Sequence, residues 1–167
     1  FIILGISFWT ALDLLEGAPK NLKSYDIIPL LFISLTIIAG TFVSGMDAGL
    51  VYNTFPYMGE SIIPIEYGNL GFIDPFENPV TAQFHHRLLA SITLIIIIIY
   101  SIHYIISNPK NLRILLLLFA IICQFIIGIF TLLYSVPITL GAMHQFGGVL
   151  LFLSSIWLLH YPRNNTF

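Results

Sequence analysis

The chain has 167 residues, of which 57% are hydrophobic and only 8% charged, and its mean hydropathy is +0.95. A water-soluble domain carries about 25% charged residues, so the composition excludes one and points to a chain that lives in lipid. The formal charge of -2 has no basic run behind it and indicates no nucleic-acid partner, while the single cysteine, Cys123, excludes an internal disulfide, a CxxC redox motif and a thiolate zinc site.

Phe1 to Leu15 is apolar but shorter than the roughly 20 residues that cross a bilayer, and it opens on Phe rather than Met. It reads as the end of a helix that begins upstream, in a fragment of a longer protein. Glu16 to Asp26 is a polar turn with Gly17, Pro19, Lys20 and Lys23, so residues 1–26 are expected to lead into a four-helix domain over 27–167. The first full span runs from Ile27 to Met46 and stops at Asp47, read as a solvated helix end. A loop over residues 50–80 follows, rich in Pro, Gly, Asn and aromatics; a loop of that length tends to be functional. Thr81 to Ile106 is the second span, closed by Ser107-Asn108-Pro109-Lys110. Leu112 to Tyr134 is the third, and a turn at Val136-Pro137 opens the fourth, Ile138 to Tyr161. The expected fold is an all-α membrane protein, a four-helix transmembrane bundle preceded by the end of another helix.

Positive charge sets the orientation. With alternating spans, Lys20, Lys23, Lys110, Arg113 and Arg163 fall on one side and only Arg87 on the other. The positive-inside rule makes the first side the cytoplasm or mitochondrial matrix. The long loop then faces the periplasm or intermembrane space.

Ionisable groups inside a membrane are costly and usually functional. His86 follows Pro79 by seven residues and His144 follows Pro137 by seven. The second and fourth spans run in the same direction, so both imidazoles lie about 10 Å inside their helix starts. On neighbouring helices of a bundle they could ligate one metal, haem iron being the best fit to two histidines. His85 and His86 are about 100° apart on a helix and cannot both face one iron. Arg87 is either an interfacial anchor or the partner of a haem propionate. His103 and His160, near the opposite helix ends, read as snorkelling interfacial side chains. Gly40, Gly45, Gly128, Gly141, Gly147 and Gly148 allow close helix approach. Cys123 reads as an inert apolar side chain, and Leu94 to Ile99 as lipid-facing or core.

Several stretches carry a resemblance: Ala39-Gly40-Thr41-Phe42-Val43-Ser44-Gly45-Met46-Asp47-Ala48-Gly49-Leu50-Val51-Tyr52-Asn53-Thr54-Phe55-Pro56, Met58-Gly59-Glu60, Glu77-Asn78-Pro79, Gln83-Phe84-His85-His86-Arg87 and Ala142-Met143-His144-Gln145. In this order they resemble the haem A synthases, membrane enzymes that oxidise a methyl group of haem O to the formyl group of haem A for terminal oxidases. The resemblance implies an eight-helix pseudo-symmetric fold in two four-helix halves, of which this chain is similar to the second. It further implies that His86 and His144 ligate a resident haem b, with His85 left out. In the other half, haem O is the substrate and a glutamate three residues before the histidine is catalytic; here that place holds Gln83, so this half carries no catalytic residue and is inactive alone. The family's reactive cysteine pair is also not found. Implied partners are haem O and haem A, the lipid bilayer, an electron donor of unknown identity, haem O synthase and further copies of the chain. The implied location is the mitochondrial inner membrane or a bacterial plasma membrane. Two alternatives stay open: a b-type cytochrome subunit that carries electrons without substrate chemistry, and a haem-free scaffold or transporter.

Overall fold

The computed structural model describes residues 1–19, 24–107 and 111–160. Lys20, Lys23, Lys110 and Arg163, which carry most of the orientation argument, lie outside the described residues, as do the turn at Asn108-Pro109 and the tail Pro162-Arg163-Asn164-Asn165.

The described residues are helical, without a strand. In chain order the α-helices are α1 (Ile2–Glu16), α2 (Ile28–Gly45), α3 (Asp74–Glu77), α4 (Pro79–Ser107), α5 (Leu112–Leu133) and α6 (Ile138–Leu159). Four stretches are long and apolar enough to cross a membrane: Ser24–Gly45, Pro79–Ile106, Leu112–Leu133 and Ile138–Leu159. These match the four spans expected from the sequence to within a few residues.

Local chemistry sets the boundaries. Gly17, at φ 79°, ends α1 with its N–H on the Asp13 carbonyl. Asp47, exposed and left-handed at φ 49°, ends the first span in the way a solvated helix end should; aspartate is among the few side chains that tolerate this region. Proline opens the second span because its missing N–H is already spare in a first turn; Asn78 accepts from the Val80 N–H at 3.0 Å beside it. Asn111 caps α5 by accepting from the Arg113 N–H at 3.1 Å. The turn between α5 and α6 holds Ser135 and Val136 at φ 58° and 55°, a strained region for a β-branched residue. At 29 residues, α4 is about 43 Å long, longer than a hydrocarbon core of about 30 Å. It therefore tilts or projects beyond one membrane face.

The four long helices close into a ring: α2 on α4, α4 on α5, α5 on α6, and α6 back on α2. Their buried core lies at the end away from the long loop, built by Ile33, Ile97, Ile114, Leu117, Ile121, Leu151 and Ile156. The outward face is equally apolar: Ile95, Ile99, Phe119, Ile126, Phe146 and Leu150 are exposed. Water would penalise such a skin; lipid does not. Leu94 to Ile99 supplies both surfaces, with Ile97 buried and Ile95 and Ile99 exposed.

At the core end, α1 packs against α6. Here one expectation needs correcting. His160 does not snorkel; it is completely buried, with Nε2 2.9 Å from Asp13 Oδ1 and its ring 5.0 Å from Trp9. Beside it, the Arg113 guanidinium donates to Glu16 Oε2 at 2.6 Å and to the Trp157 carbonyl at 2.8 Å. The cause is tertiary: α1 lies over the end of α6 and brings carboxylates that a lone helix lacks. His103, by contrast, is exposed as expected.

Candidate functional site

The loop end of the bundle holds the polar side chains. His86 reaches inward from α4, and its Nδ1 lies 3.1 Å from the Thr36 carbonyl oxygen of α2. His144 reaches inward from α6, and its Nδ1 lies 3.2 Å from the Gln124 carboxamide of α5. The two ring centres are 6.4 Å apart, with planes at 86°. The matched depth read from the two prolines thus corresponds to side chains that meet.

A glycine stands behind each ring. A Cβ on Gly40 would sit 3.1 Å from His86 Cε1, and one on Gly128 only 2.8 Å from His144 Cε1. Each helix pair, α2 with α4 and α5 with α6, therefore repeats one device: a histidine on the second helix lies against a glycine on the first. Gly147 makes room for the Gln124 carboxamide, since a Cβ there would clash with Oε1. Close packing, expected for these glycines as a class, is here directed at imidazoles. Gly45 has nothing within 4 Å.

His85 points elsewhere, as the helical angle requires: its Nε2 lies 3.3 Å from the Tyr67 hydroxyl in the long loop. Arg87 straps that loop down. Its guanidinium donates to the carbonyls of Tyr52 at 2.6 Å, Thr54 at 2.9 Å and Tyr57 at 3.4 Å. Gln83, buried, donates to the same Tyr52 carbonyl at 3.0 Å. The Arg87 Nε and Gln83 Oε1 atoms are buried without a hydrogen-bond partner among the described residues.

Asp74 organises the rest of the loop. Its carboxylate accepts from the Gly68 N–H at 2.8 Å, the Leu70 N–H at 2.9 Å and Asn78 Nδ2 at 3.0 Å, and from the Thr81 hydroxyl. Burial works to raise this carboxyl; the hydrogen bonds from Thr81, Asn78, Leu70 and Gly68 together outweigh it and hold it well below the usual carboxylate range. Sequence reasoning passed over Asp74, Thr36 and Gln124. Only Gln124 left a signal, as an isolated amide in mid-span.

Chemically, the pair can offer two neutral nitrogen ligands to one metal. Among the described residues no group of three or more His, Cys, Asp or Glu side chains gathers into a metal cage.

Residues 1–156 match the family described as cytochrome oxidase assembly protein, COX15-CtaA. This chain belongs to that family. Relatives named haem A synthase include one from Wolbachia pipientis of Culex pipiens, 39% identical over 87% of this chain and 43% of the relative. Another, from Nitrosospira multiformis, is 36% identical over 98% of this chain and 49% of its own length. The human haem A synthase COX15 is 38% identical over 94% of this chain and 42% of its own. The chain thus spans less than half the length of these relatives. No solved structure matches it. Membership of this family, with four membrane-length apolar helices, makes the chain an integral membrane protein.

Proposed function

We propose that this chain is the haem-b-holding part of a haem A synthase, with His86 and His144 ligating one iron from opposite faces. In the complete enzyme a methyl group of haem O is oxidised to the formyl group of haem A. One observation carries the reading: two inward imidazoles with ring centres 6.4 Å apart, in a chain whose relatives are named haem A synthase.

The residues fit the group. The 6.4 Å between the two ring centres would leave room for one metal ion held by both imidazoles, whose bonds to a metal are about 2.0 Å long. Two protein ligands leave the iron's remaining positions to a tetrapyrrole. When bound, the haem supplies one-electron redox chemistry. The Thr36 carbonyl accepts only a proton-bearing nitrogen, so it keeps the His86 proton on Nδ1 and leaves Nε2 as the metal-binding atom. Arg87 keeps a guanidinium at the mouth of the site, where it serves as counter-charge for a propionate. Gln83 stands three residues before His86, where the family's substrate half has a glutamate; an amide cannot exchange a proton. Haem O therefore goes to the other half of the complete enzyme, and this chain alone makes no haem A. The family resemblance supports a mitochondrial inner or bacterial plasma membrane, and the positive charges orient the histidine pair toward the intermembrane space or periplasm.

The test is an optical spectrum of the purified, reduced chain beside His86→Ala and His144→Ala. The expected result is a low-spin b-type spectrum that is lost or turned high-spin in both variants. A wild-type chain that takes up no haem, or variants that keep the low-spin spectrum, would overturn the reading.

A further inference from the structure

We propose that Gln124 is the positioning residue of His144: its carboxamide holds the imidazole and selects which ring nitrogen carries the proton. The inference rests on reading His86 and His144 as ligands.

A histidine that gives Nε2 to a metal carries its proton on Nδ1 and needs an acceptor there. His86 has a fixed one, the Thr36 carbonyl oxygen. What faces Nδ1 of His144 is a carboxamide, 3.2 Å away, and a carboxamide is donor at one end and acceptor at the other. As placed, Gln124 Nε2 faces Nδ1 and also donates to the His144 carbonyl at 2.8 Å. That arrangement puts the ring proton on Nε2. Meanwhile Gln124 Oε1 is buried with no hydrogen-bond partner among the described residues.

Turning the carboxamide over exchanges the two ends. Oε1 then accepts from Nδ1–H, the orphaned oxygen gains a partner, and Nε2 of the imidazole is free for the iron. The turn gives up both hydrogen bonds of Gln124 Nε2, to Nδ1 and to the His144 carbonyl, for one from Nδ1–H, and it brings Oε1 toward that carbonyl oxygen, so it takes place only where ligation supplies the difference. Gly147, three residues beyond His144 on α6, is part of the device. Its missing Cβ leaves the space that the carboxamide Oε1 fills. The two ligands are thus held differently, one by backbone and one by a side chain that can turn.

The experiment loads the full chain, purified in detergent, with iron protoporphyrin IX and reads haem affinity, spin state and midpoint potential. Gln124→Leu keeps the bulk and removes both hydrogen-bonding ends; affinity should fall about tenfold or more, with a high-spin fraction appearing. Gln124→Glu can only accept from Nδ1–H; it should stay low-spin and shift the midpoint potential to lower values, as a more basic ligand does. Gly147→Ala should resemble Gln124→Leu. If Gln124→Leu matches wild type in all three readouts while His144→Ala loses the low-spin haem, the positioning role is wrong and the ligand reading stands. If wild type takes up no haem, both fall. Should Gln124→Leu fail to fold, Gln124→Glu decides alone, and an unchanged potential would overturn the role.

Discussion

Placing alanine at three glycines separates packing against the imidazoles from general helix packing. At Gly128 the new Cβ would lie 2.8 Å from His144 Cε1 and at Gly40 3.1 Å from His86 Cε1, while at Gly45 it meets nothing within 4 Å. Ordinary carbon–carbon contact is about 3.5–4.0 Å, so the His144 ring must retreat by about 0.7 Å or more and the His86 ring by about 0.4 Å. The His144 ring cannot retreat freely, because the Gln124 carboxamide holds it at Nδ1. Overpacking of this kind costs about 1–3 kcal/mol, against about 0.5–1 kcal/mol that alanine gains over glycine within a helix. Gly128→Ala is therefore expected to destabilise by about 1–2 kcal/mol, Gly40→Ala by less than about 1 kcal/mol, and Gly45→Ala to be neutral or slightly stabilising. Thermal midpoints of the detergent-solubilised chain, read by circular dichroism, give the ranking at about 2–4 °C per kcal/mol. Haem loading should follow the same order. A Gly128→Ala chain that melts no lower than Gly45→Ala would refute the packing argument.

Two further outcomes follow from the loop and from the far end of the bundle. Because the Asp74 carboxyl titrates below its unfolded value of about 3.9, its contribution is complete above about pH 4 and is lost as pH falls further. The protection of amides in residues 66–78, relative to their intrinsic exchange rate at each pH, should fall as the medium is acidified below that point, and in Asp74→Asn it should be low throughout; a wild-type loop whose protection is indifferent to acid would contradict this. At the other end, a double-mutant cycle with Glu16→Gln and Arg113→Met should give a coupling energy of about 0.5–2 kcal/mol, given their 2.6 Å contact. Strictly additive melting shifts would mean that this pair does not clamp α1 to the bundle.

Much of the fold was legible because its signals are local. Apolar runs gave the four spans, and prolines and polar clusters gave their ends. The relation of Pro79 to His86 and of Pro137 to His144 gave depth, since rise per residue is fixed by the helix itself. The 100° step between His85 and His86 likewise fixed that the two diverge. The fate of Arg87 was not legible: its neighbours in sequence say nothing of the Tyr52, Thr54 and Tyr57 carbonyls, which a loop of some thirty residues folds back to it.

What the sequence determined by itself is a membrane-embedded bundle with two histidines at one depth, because length, hydropathy and helical rise need no knowledge of neighbours. What only the tertiary structure decided is which faces meet. Rotation of each helix about its axis puts Gly40 and Gly128 behind the imidazoles, turns the lone mid-span amide of Gln124 onto His144, and lays Asp13 over His160. Lipid is as apolar as the core, so hydrophobicity alone cannot tell an inward face from an outward one. Small residues and a few polar contacts set that rotation, and their partners lie tens of residues away.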